Sequence, residues 1–289
     1  MYKIAILGCE NSHANTFLDF VIKDKKYPDI EVLGVFSEDD EAAQKVSETY
    51  GVHKAESYDE FAGIADAIIV TARHGGNHYK YAKPYVKYGI PMFIDKPVTV
   101  SEEDANHFLK DITANNIKVC GGSVCTFAPE VKNLKKIVSE KSEGKVCGGY
   151  LRAPVFLENP YGNFFFYSQH LVEVMCEIFG HFPKSVKAYQ NDKTVNCTVR
   201  YADYDVNLLF TEDSSVYSAQ VSLENKIIGG EYGLDGLFEQ EFEAFNQLLI
   251  GGNMRKSYKD FFAPVFILNA IDRSLKSGNE EKVNGGADI

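Results

Sequence analysis

The chain lacks tryptophan, lacks a CxxC pair, lacks a basic excess and lacks any long apolar run. Each absence excludes something. Its six cysteines (Cys9, Cys120, Cys125, Cys147, Cys176 and Cys197) are scattered. Cys120 and Cys125 are separated by four residues and have no second pair to complete a zinc site, so buried free thiols in a reducing compartment are expected. Lys and Arg number 30 against 41 Asp and Glu, a net charge of −11. That balance disfavours nucleic acid, whose phosphates need a basic face, and anionic membranes. No apolar run approaches the roughly 20 residues of a membrane-spanning helix. The N-terminal residues run directly into a strand pattern with no signal peptide, so a cytoplasmic location is expected. There is no internal repeat and no low-complexity segment. The 45% hydrophobic and 25% charged content of 289 residues is that of an ordinary globular chain with room for two domains.

The stretch from Asp66 to Pro97 organises the rest. Ala67-Ile68-Ile69-Val70 is a short continuous apolar run, the pattern of a parallel strand covered on both faces. Tyr79 to Tyr88 can carry a helix, and Gly89 supplies its stop. Pro91-Met92-Phe93-Ile94 is a second apolar run, closed by Asp95-Lys96-Pro97. Pro97 forbids simple continuation of a ladder and pushes Lys96 toward an extended backbone. The Lys96 ammonium is therefore expected at the carboxyl end of a strand, where open α/β sheets bind ligands.

Around this unit, strand and helix alternate with short connections from Met1 to Gly122. Tyr2–Leu7 reads as a strand, Ser12 or His13 to Lys23 as a helix, and Glu31–Phe36 as a strand. Asp40–Tyr50 follows as a helix stopped by Gly51, then Ser101 opens a helix and Asn116–Cys120 a strand. Such alternation implies a parallel sheet wound on both faces. After Gly122 the pattern changes. Helices are expected at Pro129–Glu140 and Ser168–Phe179, with a strand at Val146–Ala153 between them. Four strand-like runs follow: Ser185–Tyr189, Thr194–Ala202, Asp205–Thr211 and Val216–Leu223. Val195, Cys197, Val199 and Tyr201 alternate with polar residues, the mark of an antiparallel sheet with one covered face. Leu234–Ile250 and Asp260–Lys276 read as closing helices. The fold class is α/β: a Rossmann-like doubly wound parallel sheet over residues 1–122, a nucleotide-binding domain. An α+β domain with an open, mainly antiparallel sheet follows over 123–289. The open face suggests a homo-oligomer.

Doubly wound dinucleotide folds place G-x-G-x-x-G after their first strand, so that backbone can approach the pyrophosphate at a helix N-terminus. Here the loop is Gly8-Cys9-Glu10-Asn11-Ser12-His13. Only Gly8 remains; Glu10 and His13 stand for the other two glycines. A carboxylate about 4 Å from a phosphate charge costs a few kcal/mol at an effective dielectric near 20. Either Glu10 points away or the usual pose is weakened. Asn11 and Ser12 can still donate to a phosphate, and a tight turn without a ligand is the other reading. At the end of the second strand Ser37 stands where an acid usually meets the ribose. Glu38 and Asp39 follow; they either repel a 2′-phosphate, favouring NAD over NADP, or form a solvated loop.

The ordered set Asp66, Thr71-Ala72, His78, Gly89 and Asp95-Lys96-Pro97 resembles the Gfo/Idh/MocA family of NAD(P)-dependent oxidoreductases. So does Ser257-Tyr258-Lys259-Asp260 before the last helix. The resemblance spans nearly the whole chain. A second family signature, D-x-G-x-H-x-x-D, is matched by Phe166-Tyr167-Ser168-Gln169-His170-Leu171-Val172-Glu173. His170 and a terminal acid are kept, and Phe166 replaces the leading Asp. The resemblance implies an NAD or NADP cofactor held by Gly8, Asn11, Ser12, Ser37, Thr71, Ala72, His78, Asp95 and Lys96. It implies a catalytic pair, with Lys96 orienting or deprotonating a substrate hydroxyl and His170 acting as acid/base. Hydride would pass between nicotinamide and a secondary alcohol or ketone of a sugar, cyclitol or related polyol. The alternative is a non-catalytic ligand-binding or regulatory protein on the same scaffold, for which Glu10, His13 and Phe166 speak. Tyr167, next to Phe166, is expected to point elsewhere than the missing acid would unless the local backbone shifts. No metal is expected: His74 and His78 are four apart, but Gly75-Gly76 interrupts helical spacing.

Overall fold

The structure, a computed structural model, describes residues 1–285. The chain divides into two units. The first comprises Met1–Thr99, Glu103–Gly121 and Phe238–Tyr258; the second comprises Val100–Glu102, Gly122–Leu237 and the C-terminal residues from Lys259.

In the first unit, β1 (Tyr2–Leu7), β2 (Ile30–Phe36), β3 (His53–Lys54), β4 (Ala67–Val70), β5 (Met92–Asp95) and β6 (Val119–Gly122) form one sheet in the order β3-β2-β1-β4-β5-β6. The pairings β2–β3, β1–β2, β1–β4 and β4–β5 are parallel. The order reverses between β1 and β4, the topological switch point at which such sheets bind ligands. Helices α1 (Ser12–Leu18), α2 (Asp40–Tyr50), α3 (Gly76–Ala82) and α4 (Glu102–Ala114) make the crossovers. The expected stops are in place: Gly51 and Gly89 both adopt left-handed backbone at the helix ends, with φ of 66° and 65°. The helix expected over 79–88 begins earlier, at Gly76. It tightens to a 3₁₀ turn over Lys83–Tyr88, where Pro84 offers no N–H to an α-helical ladder.

A later helix, Leu237–Leu249, belongs to this unit rather than to the second, so a single division at residue 122 does not describe the chain. Its Phe242, Phe245, Leu248 and Leu249 lie in one buried cluster with Ile4, Ile6, Phe17, Leu18 and Phe93. Phe17 meets the Phe242 ring at a centroid distance of 5.2 Å and the Phe93 ring at 5.1 Å. The apolar face of that helix closes the core on one side of the parallel sheet.

The second unit contains α5 (Pro129–Glu140), β7 (Val146–Pro154), α6 (Phe165–Phe179), β8 (Ser185–Asn191), β9 (Thr194–Arg200), β10 (Asp205–Thr211), β11 (Tyr217–Leu223) and β12 (Ile227–Tyr232). With the returning helix above counted as α7, α8 (Tyr258–Ser277) and the short β13 (Glu281–Lys282) complete the described chain. The seven strands run β12-β11-β7-β10-β9-β8-β13, antiparallel except for β7–β10. Residues along β9 and β11 alternate between buried and half-buried, as one covered face requires. No helix among the described residues is long and apolar enough to cross a membrane.

Candidate functional site

The carboxyl ends of β1, β2, β4 and β5 bring most of the sequence-selected residues of the first unit together. Gly8 makes the turn out of β1 with φ +88°; a Cβ there would stand 2.2 Å from Ala72 N, so only glycine lets the two strand ends approach this closely. Thr71 is fully buried and donates from Oγ1 to Gly8 O at 3.0 Å, tying the β1 and β4 ends. His78, fully buried, holds the next residue by a 2.7 Å Nε2 contact to Ala72 O. Burial pushes the His78 imidazolium pKa down, which keeps the ring neutral, Nε2–H donating, at neutral pH.

Asp95 is the hub. Its carboxylate is fully buried at the end of β5. Oδ1 accepts from Lys96 N at 2.7 Å, and Oδ2 accepts from Asn11 Nδ2 at 3.1 Å. His13 Nδ1 lies 2.8 Å from the same Oδ2, off the hydrogen-bonding direction, as a close electrostatic contact. Burial alone would raise the Asp95 pKa; His13, Lys96 and His78 outweigh it and hold the carboxyl below its ordinary range. Asn11 also caps α1, with backbone at φ −86°, ψ 145° and Oδ1 accepting from His13 N. Lys96 is buried and precedes a cis Lys96–Pro97 bond. Ser12 is exposed at the start of α1 and donates to Asn11 Oδ1 at 3.4 Å.

Glu10 is tied to two strand ends. Its Oε2 accepts from Ser37 Oγ at 2.7 Å and its Oε1 from Arg73 N at 2.9 Å, so the carboxylate spans the ends of β2 and β4 above β1. Ser37 is thereby used by Glu10. The two acids after it have other partners: Glu38 pairs with Lys80 at 2.6 Å, and Asp39 caps α2 through Ala42 N. Sequence spacing alone could not find the Glu10 bridge, because its donors are 27 and 63 residues away. His74 is likewise engaged locally, its Nδ1 accepting from Gly76 N.

The second unit carries its own polar cluster at α6. The helix begins at Phe165, three residues earlier than expected, so the signature lies inside its first turns. His170 is buried, with Nδ1 2.7 Å from Ser123 Oγ and 3.6 Å from Cys125 Sγ. Ser123 Oγ also accepts from Cys125 N, and its second lone pair and its hydrogen make the contact compatible with either tautomer of the ring. Tyr167 turns toward His170, its ring 4.7 Å away edge-on. The two are three apart on one helix and share a face. Tyr167 and Tyr217 hydroxyls stand 2.9 Å apart, and burial raises both phenol pKa values. Glu173 is buried, accepts from Gln169 Nε2 at 2.5 Å, and packs under Gly122, where a Cβ would meet its Oε1 at 2.5 Å. Phe166, in place of the leading acid, packs against Tyr161 at 5.1 Å. Ser123, Tyr217 and the Tyr167 orientation were not legible in the sequence.

Residues 2–121 match the model of the Gfo/Idh/MocA oxidoreductase family, NAD-binding Rossmann fold. Among curated proteins no match was found. Solved structures share the fold across nearly the whole chain. A myo-inositol dehydrogenase from Corynebacterium glutamicum superposes with a TM-score of 0.82 at 16% identity, covering 98% of this chain and 99% of that one. GenD2 from gentamicin A biosynthesis, in complex with NAD, gives 0.83 at 12% identity over 98% and 96%. The WlbA dehydrogenase from Bordetella pertussis, in complex with NADH and UDP-GlcNAcA, gives 0.81 at 15% identity over 97% and 98%. At these identities the likeness establishes the fold.

Proposed function

We propose that this chain is a divergent member of the Gfo/Idh/MocA family and an NAD(P)-dependent oxidoreductase acting on a secondary alcohol or ketone of a sugar, cyclitol or related polyol. The observation that carries the reading is the buried Asp95-Lys96-Pro97 turn at the end of β5, joined through Asp95 to Asn11 and His13 of the loop after β1. The strand-end cradle fits a dinucleotide: Gly8 keeps the first turn tight, and His78 stays neutral beneath Ala72.

A nicotinamide cofactor, when bound, would supply the hydride chemistry. The chain's own residues do the rest. Gly8, Asn11 and Ser12 would hold the phosphates, while Ser37, Thr71, Ala72 and His78 would line the strand-end crevice. Asp95 holds the Lys96 backbone, and Lys96 orients the substrate hydroxyl as the ammonium or takes its proton as the neutral amine. His170 exchanges a proton with the substrate oxygen. Tyr167 and Tyr217 wall the His170 ring in. Exposed Tyr150, Tyr189 and Ile227 on the second sheet support a homo-oligomer.

The test is turnover with NAD and NADP across a panel of polyols, cyclitols and sugars, for the wild type and Lys96→Ala. Loss of about 10²- to 10⁴-fold in kcat with an unchanged melting temperature is expected for the variant. Near-wild-type turnover in Lys96→Ala would sink the assignment. Phe166, an aromatic where the family signature has an acid, favours the non-catalytic reading. Tight binding of one panel member with no turnover of any would establish that reading instead.

A further inference from the structure

The half-buried Glu10 carboxylate is placed by two donors from different strand ends, Ser37 Oγ and Arg73 N. Ser37 Oγ itself accepts from Asp39 N at 3.0 Å, so its hydrogen is committed to Glu10. Both donors are neutral groups. A carboxylate has about four acceptor positions, and these two bonds leave about two. The group stands over the end of β1, between β2 and β4, beside the switch point. In doubly wound folds the adenosine ribose lies over the end of the second strand, where an acid takes its hydroxyls. Ser37 follows that strand here, while Glu38 and Asp39 are occupied by Lys80 and by the cap of α2.

Resting on the dinucleotide reading above, we propose that Glu10 is the acceptor for the adenosine ribose hydroxyls and thereby selects NAD over NADP. A vicinal diol offers two O–H donors to the open acceptor positions of the carboxylate. A 2′-phosphate offers none and brings like charge to within a few ångströms of it. The acid has moved from the end of the second strand to the loop after the first, and Ser37 now positions it.

The experiment follows nicotinamide fluorescence on titration with NADH and with NADPH, for wild type, Glu10→Gln and Glu10→Gly, with melting temperatures as the check on folding. The chain has no tryptophan, so protein emission interferes little. The wild type is expected to bind NADH saturably and NADPH at least about a hundredfold more weakly. Glu10→Gln, nearly isosteric, is expected to weaken NADH by roughly tenfold and to close most of the gap to NADPH. An unchanged NADH-to-NADPH ratio in Glu10→Gln overturns the proposal, as does equal binding of both by the wild type. Tighter NADH binding by either variant also overturns it, showing that the carboxylate obstructs the dinucleotide. Those outcomes leave the oxidoreductase reading standing. Absence of binding of either dinucleotide by folded wild type and by both folded variants removes both.

Discussion

His13 Nδ1 stands 2.8 Å from Asp95 Oδ2, so a histidine at the place of a glycine is the neighbour of the buried acid that holds the Lys96 backbone. Removing it leaves the carboxylate with Asn11 Nδ2 and Lys96 N. His13→Ala is expected to destabilise the protein by about 1–3 kcal/mol, since the buried charge keeps part of its compensation. A urea midpoint equal to the wild type would show that the contact carries no stability.

His78 makes stability depend on pH. Its folded pKa lies below the ordinary value of 6.5. The unfolded chain therefore binds the proton first. The contribution of the neutral ring is complete above about pH 6.5 and is lost as pH falls from there through the folded pKa, with a slope of up to about 1.4 kcal/mol per unit. His78→Gln, which can still donate to Ala72 O, is expected to flatten that slope between pH 7.5 and 5.5. Denaturation series at several pH values read this directly, and parallel curves for the two proteins would refute it.

Gly8 and Gly51 both have positive φ, but only Gly8 faces a neighbour. Gly51→Ala meets nothing within 4 Å and is expected to cost about 1 kcal/mol, the penalty of left-handed backbone alone. Gly8→Ala adds a clash with Ala72 and is expected to cost about 3 kcal/mol or more. Equal melting temperatures for the two variants would contradict the close approach.

Five cysteines are buried and Cys147 is exposed. Burial raises the Cys9 and Cys197 thiols to about 12. A thiol-specific chromogenic reagent is expected to titrate one fast sulfhydryl in the native protein and six after denaturation. Cys147→Ser should abolish the fast phase, and a fast phase that survives would place a second thiol at the surface.

The alternation of strands and helices up to Gly122, the stops at Gly51 and Gly89, and the strand-end position of Lys96 were legible because each depends on local pattern. β12 was not: its IIGGEY stretch carries Gly229 and Gly230, and glycine weakens a strand signal. The start of α6 was misplaced because Phe164, at its N-cap, makes no side-chain cap. That shift of one turn is what brings Tyr167 onto the His170 face. The Glu10 bridge and the Ser123–His170 contact join residues 27 to 63 positions apart, which periodicity does not report.

The first unit's core includes Phe242, Phe245 and Leu248, which arrive only after the second unit's sheet has been threaded. During synthesis the ribosome delivers nearly all of the second sheet before it delivers that helix. The N-terminal sheet thus waits with one side of its core open, and its folding is completed by residues made more than a hundred positions later. A gene fragment ending at residue 122 encodes an unfinished domain; a self-sufficient one must join residues 1–121 to 238–258.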